Sequence, residues 1–154
     1  MHTNAQRVQT ALRAQGSSAQ VVHMPDSTRT AAEAAAALGT TVGQIVKSLV
    51  FIADDGPVLV LTSGSERVSL EKLRAIVGGS VMRADADTVK RLTGYAIGGV
   101  PPLAHSTPAR VLMDPHLHTF DIVWAAAGTP HDVFGIAPAD LQKVAAAEVA
   151  DVTE

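Results

Sequence analysis

Two apolar segments near the middle of the chain constrain its fold most. They are QIVKSLVFIA (44–53) and PVLVLTS (57–63), and Asp54-Asp55-Gly56 separates them. An Asp-Gly pair between two apolar runs is typical of a tight β-hairpin turn. Side chains alternate between the two faces of a strand, and both faces of the first segment are mostly apolar. The pattern therefore predicts a hairpin whose first strand is buried on both sides.

Lys47 is the one charged residue inside the first of these segments. An ammonium that is buried without a partner costs on the order of several kcal/mol. Two interpretations remain open at this point. In the first, the aliphatic part of the side chain packs on apolar surface and the ammonium reaches water at the rim of that surface. In the second, the ammonium faces a cavity that needs a cation to hold a phosphate or a carboxylate.

Length and composition predict one folded domain over residues 1–154. Hydrophobic residues make up 47% of the chain and charged residues 18%, which is typical of a globular protein. There is no cysteine, so disulfide and thiolate chemistry are excluded. The amino terminus has no apolar core of the signal-peptide type and no apolar run reaches membrane length. We therefore expect a cytoplasmic protein without a membrane partner.

The net charge limits the kind of nucleic-acid contact that the chain can make. A formal charge of −3 argues against broad, non-specific binding, which needs many phosphate contacts from lysine and arginine, and so against DNA as a partner. A local contact with the end of a nucleic acid remains compatible with this charge.

Local signals predict helices and strands that do not alternate regularly. A first helix should run from about Thr3 to Gln15, and a second should begin at a capping box of Thr30 and Glu33 and end at Gly39. Further helices are predicted in SLEKLRAIVGG, ADADTVKRLTG and APADLQKVA. Further strands are predicted in AQVVHM, ARVLMD, FDIVWAA, HDVFGI and AEVADVTE. About six or seven strands, mostly in hairpin-like succession, indicate an α+β domain on a mostly antiparallel or mixed sheet.

The segment GGVPP, Gly98 to Pro102, is a candidate binding loop. Paired glycines allow unusual backbone angles and the close approach of a ligand, and two prolines stiffen the chain after them. Backbone amides in such a loop can bind a carbonyl group or an oxyanion. An ordinary Gly/Pro turn is the alternative.

Histidines give a second, weaker set of candidates. His116 and His118, with Asp114 beside them, could ligate a metal, although Pro115 makes a turn the better interpretation and no complete ligand spacing is present. His105 and His131 are candidate pocket residues. The chain has no G-x-S-x-G elbow, G-x-x-x-x-G-K or G-x-G-x-x-G motif, so no serine nucleophile and no nucleotide cofactor is indicated.

Three segments together resemble the YbaK / prolyl-tRNA synthetase-associated editing domain family, over about Arg7 to Val144. STRTAAEAAAALGTTVGQIVKSLVF is similar to the family's helix followed by its lysine strand. TGYAIGGVPPLAH is similar to its G-x-x-x-P loop, with Gly98 and Pro102 as the defining pair. VLMD followed by FDIVWAAAGTPHDVF resembles its C-terminal strands and pocket loop. The order and spacing of the three segments carry the resemblance, because no one of them is specific alone.

This resemblance implies a compact α+β fold with a mixed, barrel-like sheet surrounded by helices. It implies hydrolysis of the ester that links a wrong amino acid to tRNA, without a cofactor or a metal. A chain that is one domain long would act in trans on an aminoacyl-tRNA acceptor end, and could have an aminoacyl-tRNA synthetase as a partner. The family's catalytic positions fall on Lys47, Gly98 and Gly99. Its substrate-binding positions fall on Val100, Pro101, Pro102 and His131, and His105 beside the loop is a further candidate for substrate binding.

Two departures from the family pattern bear on specificity. Pro101 stands where many members carry a serine, as in GGISP, and His105 replaces the usual PLG continuation. Both indicate a branch other than the one that acts on cysteinyl-tRNA(Pro). Charge alone predicts that basic residues near the pocket include some of Arg29, Arg67, Lys72 and Arg83. Two alternatives remain: a non-catalytic module that binds an aminoacyl group, tRNA or a protein, and a metal-dependent hydrolase.

Overall fold

The computed structural model describes all residues from 1 to 154 and contains five α-helices and eight strands. The helices are α1 (Thr3–Ala14), α2 (Ala31–Leu38), α3 (Leu70–Val77), α4 (Ala86–Thr93) and α5 (Pro138–Val144). The strands are β1 (Val21–His23), β2 (Val46–Ala53), β3 (Gly56–Ser63), β4 (Val81–Arg83), β5 (Arg110–Met113), β6 (Val123–Ala126), β7 (Asp132–Ile136) and β8 (Glu148–Val149). The predicted α+β class is confirmed.

The helices begin and end where their caps require. The Thr30 side chain accepts a hydrogen bond from the Glu33 N–H at the start of α2, and Gly39 ends that helix in the left-handed conformation. Ser69 and Asp85 cap α3 and α4 in the same way. The predicted helix boundaries are therefore confirmed to within a few residues.

The strands form two sheets, one with the order β1-β7-β6 and one with the order β4-β2-β3-β5-β8. The predicted hairpin is the antiparallel pair of β2 and β3, and β6 and β7 form a second antiparallel pair. The expectation of hairpin-like succession is wrong for β5, which is parallel to both β3 and β8. The short strand β4 was not predicted, which brings the count to eight.

Strand β2 is buried on both faces, as predicted. Val46 and Val50 belong to the large core cluster on one side, which also contains Tyr95 and Phe134. Phe51 belongs to a smaller cluster on the other side, beneath α3. The strand thus separates two apolar layers, and its alternation places Lys47 on the same face as Phe51.

The two sheets meet at one bridge, between Ile45 and Trp124, and do not close into a barrel. "Barrel-like" is therefore a loose description of the sheet. None of the five helices combines the length and the apolar character that crossing a bilayer requires.

Candidate functional site

An open stretch of the β2 edge forms the base of a cavity. Strand β4 pairs only with Phe51 to Ala53 of β2, and β6 reaches the other end of that edge only at Ile45. Between these two contacts, residues 46–49 line a cavity of about 310 Å³. The gap between the two sheets therefore creates the site.

The walls of this cavity are mainly apolar and come from several elements. Helix α2 contributes Ala31 and Ala34, strand β6 contributes Trp124 and Ala125, and strand β7 contributes Val133. The small side chains of α2 leave room, while the indole of Trp124 lies over Gly135 of β7. Such walls suit a small, largely apolar group.

Lys47 lies at the edge of this cavity with its ammonium only partly buried. Its Nζ donates a hydrogen bond of 2.6 Å to the carbonyl oxygen of Glu66. Burial, and then the positive charges of Arg83 and Arg67, lower the pKa of Lys47 below its ordinary value. An ammonium has three donors, so the Glu66 bond leaves donors for an anion.

Basic side chains surround Lys47 unevenly. Arg29 and Arg83 line the same cavity, and neither is in a salt bridge. Arg67 lines an adjacent groove. Lys72 instead bonds the Asp151 carboxylate and the Thr153 carbonyl oxygen, so its charge is already matched.

The glycine loop reaches the cavity through two of its five residues. Gly98 and Val100 line it, and neither backbone N–H has a hydrogen-bond partner within the chain. Gly98 has a φ of +96°, and a Cβ there would collide with Cγ of Arg29. A glycine is thus required both for the backbone conformation and for the close approach of the arginine stem.

Gly99 lies behind the cavity and packs against the next loop. Its N–H donates to the Ala96 carbonyl, and its own carbonyl accepts from the Gly128 N–H. A Cβ on Gly99 would lie 2.9 to 3.0 Å from backbone atoms of Thr129. Gly99 therefore fixes the loop in place and does not itself line the cavity.

The second half of the loop points away from the cavity. Nε2 of His105 donates a hydrogen bond of 2.6 Å to the carbonyl oxygen of Pro101. Burial is the main reason that the pKa of His105 is lowered. Pro102 and His105 line a separate cavity of about 260 Å³. His105 thus supports the loop from the side opposite to Lys47.

His131 lies near the cavity but is absent from its lining. Its Nδ1 is 3.2 Å from the Met24 carbonyl oxygen, and its ring stacks on that of His23 at 6.0 Å between centroids. Residues next to His131 in the chain do contact the site. The Pro130 carbonyl accepts two hydrogen bonds from Thr28, which lines the cavity. Val133 also lines the cavity.

Ser48 and Trp124 are cavity residues that sequence reasoning missed. Oγ of Ser48 is buried without a hydrogen-bond partner. The alternation of the strand placed Ser48 on a buried face, but no local signal showed that this face opens into a cavity beside Gly98. No histidine, aspartate or glutamate lines the cavity, so no imidazole or carboxylate among the lining residues can act as a general base for its hydroxyl groups.

The proposed metal-binding trio does not converge. Asp114 accepts hydrogen bonds from the N–H groups of Ser63 and His116 and so caps the short 3₁₀ helix Pro115–Thr119. Nε2 of His118 is 3.1 Å from Oε1 of Gln142. The chain contains no group of three possible ligands that could hold a metal ion. The hypothesis of a metal-dependent hydrolase at this trio is wrong.

Comparison with known proteins identifies the class that this fold and cavity define. A model of the aminoacyl-tRNA editing domain matches residues 25–144. The chain therefore belongs to the aminoacyl-tRNA editing domain family, and the resemblance drawn from the sequence is confirmed.

Individual relatives agree with this assignment. The chain is 47% identical to a solved structure of a candidate trans-editing enzyme for prolyl tRNA synthetase, with a TM-score of 0.95 over 100% of this chain and 99% of the other. It is 27% identical to the uncharacterized protein YwhH of Bacillus subtilis (strain 168), over 84% of this chain and 83% of that protein. It is also 28% identical to the proline–tRNA ligase of Streptococcus equi subsp. zooepidemicus, where 82% of this chain spans 20% of the ligase.

Proposed function

We propose that the chain is a trans-editing hydrolase that deacylates mischarged aminoacyl-tRNA. One observation carries the proposal: Lys47, Gly98 and Val100, brought from a strand and a distant loop, line the same small cavity. The match in fold and length to a candidate trans-editing enzyme supports action on a separate tRNA–synthetase pair. In this proposal residues 1–154 form one editing domain that acts in the cytoplasm.

The free amides of Gly98 and Val100 would hold the carbonyl oxygen of the aminoacyl ester. When water attacks the carbonyl carbon, that oxygen gains negative charge, and preformed N–H donors stabilise it. The bond from the carbonyl carbon to the ribose oxygen then breaks. The ribose oxygen takes a proton, and the products are the free amino acid and deacylated tRNA.

Lys47 would bind the terminal ribose and phosphate region of the acceptor end. Its ammonium has unused donors and lies beside Arg83, so an anionic ligand gains charge-assisted hydrogen bonds there. The lining residues offer no pair of nucleophile and base, so the neighbouring ribose hydroxyl of the substrate would position the water. Gly99, Pro101 and His105 act here as positioning residues, because they hold the loop without lining the cavity.

The amino-acid side chain would lie against the apolar walls. A pocket of this kind selects by excluding larger groups, and one methylene changes the discrimination by about 1–3 kcal/mol. A prolyl-tRNA synthetase partner is part of the proposal because the relatives carry that name. The amino acid that is removed would then be smaller than proline.

The test is a deacylation series with purified protein and tRNA charged with alanine, serine, cysteine, threonine or proline. The proposal predicts release of a small amino acid well above the spontaneous rate and retention of proline. Absence of release from every tRNA, with the protein folded, would contradict hydrolysis. Tight binding of the charged tRNA in that case would instead favour a non-catalytic binding module.

A further inference from the structure

A second groove adjoins the cavity on the other side of Lys47. It has a volume of about 380 Å³ and shares Lys47, Leu49 and Arg83 with the cavity. Two cavities that share a wall at a lysine can hold two linked parts of one ligand. The part in the groove must match the charge and the surface that the groove presents.

Three cations surround this groove. Lys47 and Phe51 lie on the same face of β2, and Arg83 of β4 pairs with Phe51, so its side chain shares that face. Arg67 completes the set from the segment after β3, and both arginines are exposed and outside any salt bridge. Their positive charges act on Lys47, which places all three groups close together.

The backbone around Arg67 is held in place while its side chain is free. The neighbouring Val68 forms a bridge with Thr153, and the Arg67 carbonyl accepts a hydrogen bond from the Glu154 N–H. Glu154 is the one acidic residue in the lining, while Glu66 and Asp114 act on Lys47 from outside it, so the lining itself presents three cations and one side-chain carboxylate. The salt bridge between Lys72 and Asp151 also holds this carboxyl-terminal segment in place. Because the backbone is already held, binding an anion has to order only the Arg67 side chain.

The floor of the groove is apolar. It consists of Leu49 and Phe51 of β2, Val68 before α3 and Leu70 at the first position of α3, and Leu70 is 40% exposed. A groove with cations at its rim and an apolar floor fits a sugar and base with their phosphate better than it fits a free inorganic anion.

The geometry points to this groove as the site for the nucleotide that precedes the terminal nucleoside of a single-stranded nucleic-acid 3′ end. Arg67 and Arg83 hold its phosphodiester, and the apolar floor holds its sugar or base. The inference rests on the proposed function, because it extends the same ligand from the cavity past Lys47. It assigns Arg67 and Arg83 to binding and leaves Lys72 out.

The test uses an uncharged, fluorescently labelled RNA hairpin with a single-stranded CCA 3′ end, titrated at several salt concentrations. Arg67→Gln and Arg83→Gln should each weaken binding. Each should also lower the slope of log K against log salt by about 0.7, the value for one lost phosphate contact on a single strand. Arg74→Gln, at an exposed position on α3 outside the groove, is the matched control and should change neither quantity.

Three results would overturn the inference. They are unchanged affinity and slope in both groove variants, an equal loss in Arg74→Gln, and an equal loss on a hairpin that lacks the three 3′ nucleotides. The same preparations are assayed for deacylation. If the wild type releases no amino acid but binds the CCA end through Arg67 and Arg83, the proposed hydrolysis fails while the groove assignment stands.

Discussion

Lys47 donates its hydrogen bond to the carbonyl oxygen of Glu66, 2.6 Å away, and this contact holds the ammonium between the cavity and the groove. The question raised by a lysine inside an apolar strand thus has a structural answer. The side chain starts from a strand that is buried on both faces, but its charge lies where two open spaces meet. A carbonyl oxygen is a weaker partner than a carboxylate, so the ammonium keeps its capacity for an anionic ligand.

The lowered pKa of Lys47 predicts a pH-dependent effect on stability. A lysine whose pKa is lower in the folded than in the unfolded state opposes folding most below its folded pKa, and this effect fades as the pH rises towards the unfolded pKa. Lys47→Met should therefore be more stable than the wild type near neutral pH, with a difference that shrinks as the pH rises through the folded pKa.

Denaturant melts of the two proteins from pH 7 upward measure this difference. Lys90→Met, at an exposed position on α4, controls for the loss of a lysine as such. A wild type that is more stable than Lys47→Met near neutral pH, with an advantage that is lost as the pH rises, would show that the surroundings stabilise the ammonium.

Gly99→Ala should destabilise the protein and impair deacylation. The new methyl group would lie 2.9 to 3.0 Å from the Thr129 backbone, which cannot rotate away, and such overpacking costs about 1–3 kcal/mol. Displacement of the loop would also move the Gly98 and Val100 amides. Thermal melts and single-turnover deacylation measure the two effects.

The matched control for Gly99→Ala is Gly79→Ala. Its Cβ would meet only the Asp54 carboxylate, a flexible side-chain end that can move. Equal melting temperatures for the two variants would mean that the contact between the two loops does not determine the loop position.

Trp124→Leu should relax the selection against large amino acids. The indole lines the cavity and lies over Gly135 of β7, so a smaller side chain enlarges the cavity there. The rate of proline release, divided by the rate of release of the preferred amino acid, should rise by about tenfold or more. One methylene in a hydrophobic pocket already changes discrimination by about that factor. Leu103→Ala, in the separate cavity beside His105, should leave the ratio unchanged. An unchanged ratio in Trp124→Leu would remove the indole from the specificity filter.

Ser48→Ala should affect the stability and the activity of the protein in different ways. Its Oγ is buried without a partner, so its removal should leave the melting temperature the same or higher, unlike most polar deletions. If the hydroxyl meets the substrate, KM for deacylation rises in the same variant. A clear loss of stability would show that Oγ already has a hydrogen-bond partner in solution.

Much of the fold followed from local signals. Thr30, Gly39 and the Asp54-Asp55-Gly56 turn act on their immediate neighbours, so their effect can be read without the rest of the chain. Strand β4 was not predicted, because Val81–Arg83 is only three residues long and two of these residues are exposed. The parallel pairing of β3 with β5 was not predicted either, since no local pattern specifies a partner that lies far along the chain.

The site depends even more on long-range packing. The sequence indicated Lys47 and the glycine loop as candidates, but their common cavity lies where the two sheets are joined by a single backbone bridge, between Ile45 and Trp124. The same packing turns Pro101 and His105 away from the cavity and leaves His131 beside it. A motif gives the order of residues along the chain, whereas the face of a loop that reaches a cavity depends on what packs behind the loop.

The most direct test of the central claim compares deacylation by wild type, Lys47→Ala and Lys72→Ala across the same series of charged tRNAs. Lys72 is a lysine of matched charge whose ammonium is already bound to Asp151. The account predicts loss of deacylation in Lys47→Ala and near wild-type rates in Lys72→Ala, both measured on folded protein. Full activity in Lys47→Ala would contradict the claim that Lys47 and the glycine loop form one catalytic site.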